Sequence, residues 1–138
     1  MDKLIYTLRN EGCSCVIANG SDMRTFTQRG VADLYNLMMN DAEFLKGASV
    51  ADKVIGKAAA ALVILGGVTM VYAEVISRPA LLLLRDAGVD TYFHTVVPYI
   101  RNRDGNSQCP LDRACYNEDT AQDILPRIEF FMTNIINK

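Results

Sequence analysis

The segment from Pro98 to Asp112 concentrates polar and charged side chains in one predicted loop. Within it, Arg101 and Arg103 flank Asn102, and their guanidinium groups can clamp a phosphate or a carboxylate through paired hydrogen bonds. A solvated charged loop is the alternative interpretation of the same two arginines. Loops that only connect elements have a median length of about 4–6 residues, so the length and content of this one predict a binding or reactive site.

Cys109 carries the most reactive group of this loop. It directly precedes Pro110, which suits the first position of a helix, and a helix N-terminus favours the thiolate form of cysteine. Asp112 then falls in the first turn of that helix. A nucleophilic thiol needs a neighbouring base, and His94 is the only histidine in the chain. The alternative is a small buried or capping thiol that takes part in no reaction.

A second group of candidate residues belongs to a helix that is predicted to begin near Asp52. Ser49 followed three residues later by Asp52 resembles a capping box, and Lys53 and Lys57 then share one helix face. Glu74 is the expected carboxylate partner of these lysines. Two interpretations are open: the lysines contact a ligand, with Lys57 and Asp52 as catalytic candidates, or they form salt bridges that orient the helix.

Gly56 and Ser77 are small residues at predicted helix positions that we expect other groups to approach. Gly56 in the middle of a helix costs about 1 kcal/mol relative to alanine, so we expect a packed strand or a ligand to approach it closely. Ser77 precedes Pro79 at the start of another predicted helix. Its hydroxyl can cap that helix, whose start can also present N–H groups to an anion.

The four cysteines do not form a recognisable metal site. Cys13 and Cys15 lie two apart in a strand-like run and are expected on one face, while Cys109 and Cys115 are far away in the sequence. Neither pair has the Cys-x-x-Cys spacing of structural zinc sites. We therefore predict reduced thiols, no metal and no other cofactor.

Hydrophobic periodicity predicts the elements that position these residues. Turn residues at 19–22 make the first two strands a hairpin, and Gly66-Gly67 ends the helix that begins near Asp52. Pro126 opposes the continuity of the last helix. The predicted helices cover residues 2–11, 31–39, 52–65, 77–87 and 120–137, with a short helix from Pro110, and the predicted strands cover residues 13–18, 23–28, 68–76 and 89–97.

The fold class follows from the apolar stretches. Residues 58–65 are apolar on every side, which is typical of a buried helix, and residues 68–76 alternate too little for a half-exposed strand. We predict an α/β fold, a three-layer α/β/α sandwich with a hairpin and central parallel strands covered on both faces. It forms a single domain over residues 1–138, with a core over about 13–112 and a C-terminal helix over about 119–137. The helix starts near Asp52 and Ser77 and the loop after Val97 should meet at the carboxyl edge of the sheet.

Composition and charge narrow the classes of partner. The formal charge is −2, and no basic block exceeds the spaced pair in the opening loop, so nothing favours nucleic acid. The N-terminus lacks the layout of a signal peptide, and the uncharged stretch over residues 58–73 is too short to span a membrane. We expect a cytoplasmic protein with no nucleic-acid or membrane partner.

The predicted order of elements resembles the cytidine deaminase-like fold, in which a hairpin is followed by two helices that bear the zinc site at their starts. The local similarity is most specific at residues 75–83, where deaminases read Ser-x-Pro-Cys-x-x-Cys. Ser77 and Pro79 match this motif, whereas Ala80 and Leu83 stand in place of the zinc-binding cysteines. The preceding predicted helix lacks the His-x-Glu pair, so zinc-dependent deamination is not expected.

The chain also resembles a small bacterial family, domain of unknown function 1893, which shares this fold without the zinc motifs. The resemblance is carried by residues 52–60 (DKVIGKAAA), residues 71–77 (VYAEVIS) and the loop over 98–112, and it extends from about Cys13 to Asp112. It implies the fold and leaves the activity open.

Three hypotheses for function follow. The first is a deaminase-like protein without catalysis that binds a small anionic, nucleotide-like ligand through Lys53, Lys57, Glu74, Ser77, Arg101, Asn102, Arg103 and Asp112. The second is an enzyme without zinc that uses Cys109 as nucleophile or the amine of Lys53 or Lys57. The third is an interaction module that forms homo-oligomers through Phe130, Phe131 and Ile135.

Overall fold

A computed structural model describes residues 1–28, 31–100 and 110–136 of the chain. Within these residues the helices are α1 (Asp2–Asn10), α2 (Ala32–Asn40), α3 (Ala42–Leu45), α4 (Lys57–Gly66), α5 (Arg78–Asp86), α6 (Pro110–Ala114) and α7 (Ala121–Ile136). The strands are β1 (Cys15–Asn19), β2 (Asp22–Phe26), β3 (Ser49–Ile55), β4 (Met70–Ser77) and β5 (Asp90–Val97).

The five strands form one mixed sheet in the order β2-β1-β3-β4-β5. The predicted hairpin is present, since β1 and β2 pair antiparallel across a tight turn and Asn19 pairs with Asp22. β1 is also antiparallel to β3, whereas β3, β4 and β5 are parallel to one another. Helices lie on both sides of the sheet, so the predicted three-layer α/β sandwich is confirmed.

The strand β3 corrects the prediction of a helix beginning near Asp52. Residues 49–55 form the central strand of the sheet and pair with β1 on one side and β4 on the other. Val50 and Ala51 are fully buried there, and Val54 and Ile55 add the β-branched residues that strands favour. Ser49 and Asp52 have the spacing of a capping box, but both lie in β3 and cap no helix. The helix begins at Lys57.

The largest hydrophobic cluster surrounds α4, and the prediction of a buried helix there is confirmed. Its residues from Lys57 to Val63 are all buried among side chains of α2, α5, α7 and the sheet. The helix ends where predicted, because Gly67 has the left-handed φ of 83° and its N–H bonds to the carbonyls of Val63 and Ile64. A smaller cluster on the opposite face of the sheet packs Leu4 and Leu8 of α1 against Val16, Ala51 and Tyr72.

The strand β5 corrects the prediction that the parallel strands are covered on both faces. None of its eight residues is buried, and in the described part of the chain it pairs with β4 alone. It therefore forms an edge of the sheet. The reason is its position: α1 packs against β1 and β3, and its coverage of that face does not extend to the last strand.

The two N-terminal cysteines also differ from the prediction. Cys15 begins β1 and belongs to the large cluster, whereas Cys13 belongs to the smaller cluster on the opposite face. Cys13 precedes the strand, so the alternation rule that places residues two apart on one face does not apply to it.

The last helix runs through Pro126 despite the missing backbone donor of that residue. Ile124 and Ile128 of α7 are fully buried, and packing against α4 stabilises the helix on both sides of the proline. Phe131 packs against the same core, whereas Phe130 is exposed, so the two phenylalanines do not form one surface. The side chain of Ile135, the third residue predicted for that surface, lies outside the described part of the chain. Among the described residues, no helix is both long and apolar enough to cross a membrane.

Candidate functional site

The start of α4 is capped by a carboxylate from a distant part of the chain. Gly56 occupies the N-cap position in an extended conformation and has no side chain to offer. The cap comes from Asp112 of α6, which lies 55 positions further along the chain. Its carboxylate accepts a hydrogen bond from the backbone N–H of Lys57 at 2.5 Å, and it also accepts from the N–H groups of Ala58 and Ile100. A buried negative charge is stabilised here because the helix dipole and the unpaired N–H groups face it.

This arrangement explains the glycine that the sequence analysis assigned to the interior of a helix. A Cβ atom on Gly56 would lie 2.5 Å from Oδ1 of Asp112 and 3.1 Å from Cγ1 of Ile100. The close approach predicted for Gly56 is thus made by an internal carboxylate. Burial raises the pKa of Asp112, while the three N–H donors and the nearby Lys57 ammonium oppose that rise.

Lys57 is the buried cation of this region, with 8% of its surface exposed. Its Nζ donates a hydrogen bond to the backbone carbonyl of Tyr116 at 2.8 Å and lies 6.0 Å from the centre of the Tyr116 ring. A buried ammonium needs such partners because its desolvation is costly. Lys57 therefore links the start of α4 to the segment that follows α6.

A cleft of about 450 Å³ opens beside Lys57. It is bounded by the starts of α4 and α5, the residue after β5 and the segment after α6. The cleft carries charges of both signs together with apolar and aromatic walls. Its lining residues are Lys57, Arg78, Pro79, Leu82, Leu83, Asp86, Pro98, Tyr116 and Asp119.

The start of α5 forms one wall of the cleft, and Ser77 performs the capping role predicted for it. Its hydroxyl is fully buried and accepts the backbone N–H of Ala80 at 3.3 Å, with Pro79 in the first turn. Because the hydroxyl is committed to the helix, Arg78 is the residue that presents a polar group here. Arg78 is exposed, and among the described residues no ion pair involves it.

Asp52 lies away from this cleft, in the middle of β3 and opposite Cys15 of β1. It accepts hydrogen bonds from the Cys15 thiol and from the backbone N–H of Val54 at 3.2 Å. Because Asp52 is buried and has no cation beside it, its pKa is raised to about 7, and the nearby Asp33 carboxylate adds to that rise. Burial and Asp52 also raise the pKa of Cys15 well above its ordinary value, so the thiol remains the donor.

Two other predictions about this region are wrong: the shared helix face of Lys53 and Lys57, and the pairing of Glu74 with a lysine. Lys53 does not share a helix face with Lys57, because it stands on β3 and is exposed. Glu74 binds Arg9 of α1 instead of a lysine, with Nε to Oε1 at 2.5 Å, and Arg9 also donates to the Tyr72 hydroxyl. This ion pair lowers the pKa of Glu74.

The remaining predicted residues divide between described and undescribed parts of the chain. Arg101, Asn102, Arg103 and Cys109 lie outside the described residues, so the pairing of His94 with Cys109 stays a prediction. His94 is exposed on β5, where its Nδ1 lies 2.9 Å from the Thr95 hydroxyl. Among residues 1–28, 31–100 and 110–136, no three His, Cys, Asp or Glu side chains are grouped as metal ligands would be.

Among the described polar residues that line the cleft, Lys57 was named from the sequence, whereas Arg78, Asp86, Tyr116 and Asp119 were missed. Arg78 directly follows Ser77 at a predicted helix start, which was an available signal. Asp86 lies two turns further along the same helix, where spacing alone could have placed it on the same side. Tyr116 and Asp119 carry no local signal, because they reach the cleft only through the connection between α6 and α7.

Comparison with known proteins shows what the chain is similar to. Residues 3–132 match the family described as a domain of unknown function, DUF1893. The crystal structure of a DUF1893 family protein (TM1506) from Thermotoga maritima is similar in fold, with a TM-score of 0.84 at 24% identity over 92% of this chain and 86% of that chain. No curated protein matches. The family resemblance seen in the sequence is therefore confirmed.

Proposed function

The chain belongs to the DUF1893 family, and we propose that it binds a small anionic, nucleotide-like ligand in the cleft beside Lys57. The observation that carries the proposal is the position of Arg78, an exposed cation at the rim of a cleft with apolar and aromatic walls. Its guanidinium fork suits a phosphate or a carboxylate.

Within the described residues, the other positive groups at this site already have internal partners. The start of α4 holds the Asp112 carboxylate, and Lys57 donates to the Tyr116 carbonyl. An external anion cannot take the place of Asp112 without leaving that carboxylate buried and unpaired. Arg78 is therefore the described residue expected to hold the anionic part of the ligand. The sequence analysis assigned this role to Lys53, Lys57, Arg101 and Arg103, of which the two arginines lie outside the described residues.

The walls of the cleft favour a ligand that is more than a free phosphate. The Tyr116 ring with Leu82 and Leu83 offers surface against which a planar base can pack. Asp86 and Asp119 can accept hydrogen bonds from sugar hydroxyls or an exocyclic amine. Two carboxylates beside one arginine would repel a long polyanion, which supports a small ligand over a nucleic acid.

We further propose that the fold is a deaminase-like variant without zinc chemistry. The hairpin followed by helices supports this relation, although β3 changes which helices correspond. The first helix after the hairpin is α2, and the helix that follows the first parallel strand is α4, so the corresponding helices are not the ones before and after β4. Their starts read Ala32-Asp33-Leu34 and Lys57-Ala58-Ala59, without a thiol or an imidazole to bind zinc.

Binding can be tested by calorimetric or NMR titration of the full chain with nucleoside monophosphates, the matching nucleosides and inorganic phosphate. We expect the monophosphates to bind, and Arg78→Gln to weaken that binding by roughly tenfold, the effect of about 1.4 kcal/mol for one charge-assisted contact. Arg85→Gln is the matched control, because Arg85 lies on the same helix outside the cleft lining.

Three outcomes would contradict the proposal. One is the absence of binding for every monophosphate with the wild-type chain. Another is equal affinity of the wild type and Arg78→Gln, which would show that any bound nucleotide is held elsewhere. The third is an affinity for nucleosides that matches the affinity for monophosphates, which would contradict the anionic part of the assignment.

A further inference from the structure

The helix α5 carries a charged residue at each end, and both charges oppose the helix dipole. The dipole favours acidic residues in the first turn of a helix and basic residues in the last turn. Arg78 is the first residue of α5 and Asp86 is the last, so each stands at the end that disfavours its charge. Within the described residues, neither side chain has an ion pair that would offset this cost. Residues that oppose local stability in this way are typical of functional sites.

These two charges stand at opposite ends of one wall of the cleft. Arg78, Leu82 and Asp86 follow one another at steps of four residues, so they lie along one side of α5, and all three line the cleft. Arg78 and Asp86 are separated by about 12 Å along the helix axis. Leu82 lies between them and is 52% exposed. The wall therefore offers a cation, an apolar surface and a carboxylate in that order.

Such a wall suits a ligand in which a flat, largely apolar body separates an anionic group from hydrogen-bond donors. With the phosphate of a mononucleotide at Arg78, the ribose and base extend past Leu82 toward Asp86. The Tyr116 side chain, which the segment after α6 brings to the cleft, is 56% exposed and offers its ring to the base. Asp86 then faces an edge of the base.

A carboxylate at this position discriminates between bases, because an ionised carboxylate can only accept hydrogen bonds. Guanine presents two adjacent donors on one edge, a ring N–H and an exocyclic amine, and these can bind the two carboxylate oxygens together. Adenine and cytosine place a ring acceptor beside their amine, and uracil places a carbonyl on each side of its ring N–H. In those three bases an acceptor would lie against the negative charge of Asp86.

We propose that the cleft prefers a guanine mononucleotide, with Arg78 at the phosphate and Asp86 at the donor edge of the base. This preference rests on the nucleotide-like ligand proposed above and adds the identity of its base. Two carboxylates in the cleft and the absence of a basic residue at the Asp86 end of its α5 wall agree with a base that donates. Arg85 is also in the last turn, but its guanidinium lies over the Phe93 ring and outside the cleft lining.

Calorimetric titration of the full chain with the monophosphates of guanosine, inosine, adenosine, cytidine and uridine tests the preference. We expect guanosine monophosphate to bind at least about tenfold more tightly than the others, as a paired base contact does. Inosine monophosphate lacks only the exocyclic amine, so it isolates the second hydrogen bond. Asp86→Asn replaces one acceptor by a donor and should bind xanthosine monophosphate, which has a carbonyl in place of that amine, more tightly than guanosine monophosphate. Asp123→Asn, outside the cleft lining, should keep the wild-type order.

The stability of the unliganded protein separates a binding role from a structural one. Arg78→Gln and Asp86→Asn each remove a charge that the helix dipole disfavours, so both variants should unfold at the same urea concentration as the wild type or at a higher one. A lower midpoint for Asp86→Asn would show that its carboxylate stabilises the fold itself, and would contradict its assignment to the ligand.

The titrations distinguish failure of this preference from failure of the proposed function. Monophosphates that bind through Arg78 with equal affinity for every base would overturn the guanine assignment alone. If no monophosphate binds, both proposals are wrong. An unchanged order of affinities in Asp86→Asn, with the variant folded by circular dichroism, would also overturn the assignment. Loss of the preference in Asp119→Asn but not in Asp86→Asn would show that Asp86 does not bind the base.

Discussion

Asp52 shows how a single carboxyl group can be buried without a cation and still have a structural role. Its hydrogen-bond donors are the Cys15 thiol and backbone N–H groups. Because desolvation disfavours the carboxylate, the proton remains bound to higher pH, and the pKa rises from 3.8 to about 7. The protonated form suits a buried position on a central strand, where the nearby ionisable side chains are the Cys15 thiol and the Asp33 carboxylate and neither is a cation.

This shift predicts a pH dependence of stability. Between the ordinary pKa of 3.8 and about 7, the folded protein holds one proton more than the unfolded chain, so the contribution of Asp52 falls as pH rises. Asp52→Asn removes the titration. We expect the free energy of unfolding of this variant to increase relative to wild type by about 3 kcal/mol between pH 5 and pH 8, as measured by urea denaturation.

The matched control is Asp123→Asn, which removes a carboxylate at an exposed position of α7. Its unfolding free energy should follow the wild type across the same pH range. Parallel curves for wild type and Asp52→Asn would show that Asp52 is ionised in the folded protein throughout, and the assignment of its proton would then be wrong.

At the scale of elements, the start of α4 depends on two residues that are distant in sequence. Gly56 has room for no side chain, because the Asp112 carboxylate lies where its Cβ would be. The helix therefore receives its cap only when α6 has packed against it. This long-range cap joins the last part of the chain to the parallel strands.

A double-mutant cycle can test this dependence. Gly56→Ala should lower the free energy of unfolding by about 2 kcal/mol, because the added methyl group displaces Asp112 from the N–H groups of the helix. Asp112→Ala should lower it by about 1–3 kcal/mol through loss of the cap. In the Asp112→Ala background, Gly56→Ala should cost less than half as much as in the wild type.

The cycle is measured by urea denaturation of the four proteins. Additive effects would show that the cost of alanine at position 56 arises from backbone preference or from Ile100, and not from Asp112. That result would contradict the role of the Asp112 carboxylate in excluding a side chain from position 56.

How far the sequence could predict the structure depends on whether a feature is determined by residues that are close in the chain. The hairpin, the Ser77 cap and the end of α4 at Gly67 were predictable because each depends on residues that are adjacent in the chain. β3 was missed because its short run before an alanine-rich helix contains Ser49 and Asp52 at the spacing of a helix cap. Only the two neighbouring strands identify it as a strand, and no local pattern reports them.

The candidate site was predictable to the same extent. Lys57, Ser77 and Asp112 were named from helix starts. Lys57 lines the cleft, whereas Asp112 and Ser77 cap the two helices that begin beside it. The contact between Lys57 and Tyr116 could not be derived, because it depends on where the chain returns after α6. Glu74 was assigned the wrong partner because Arg9 reaches it from the N-terminal helix.

At the scale of the whole molecule, the C-terminal helix belongs to the core. α7 packs against α4, the helix at the centre of the large cluster, and its Ile124 and Ile128 are fully buried. The hydrophobic core therefore includes the inner face of α7. Arg127 of α7 also forms an ion pair with Glu118, which lies in the segment that carries Tyr116 and Asp119 to the cleft.

The contribution of α7 can be measured with two substitutions on the same helix. Ile128→Ala removes a fully buried side chain and should lower the free energy of unfolding by about 2–4 kcal/mol, because it leaves a cavity against α4. Phe130→Ala removes a larger side chain that is mostly exposed, and its effect should stay within about 0.5 kcal/mol. Urea denaturation of both variants provides the comparison. Equal losses would mean that α7 is not anchored by its buried face, and a loss confined to Phe130→Ala would place the stabilising contact on the outer face of the helix.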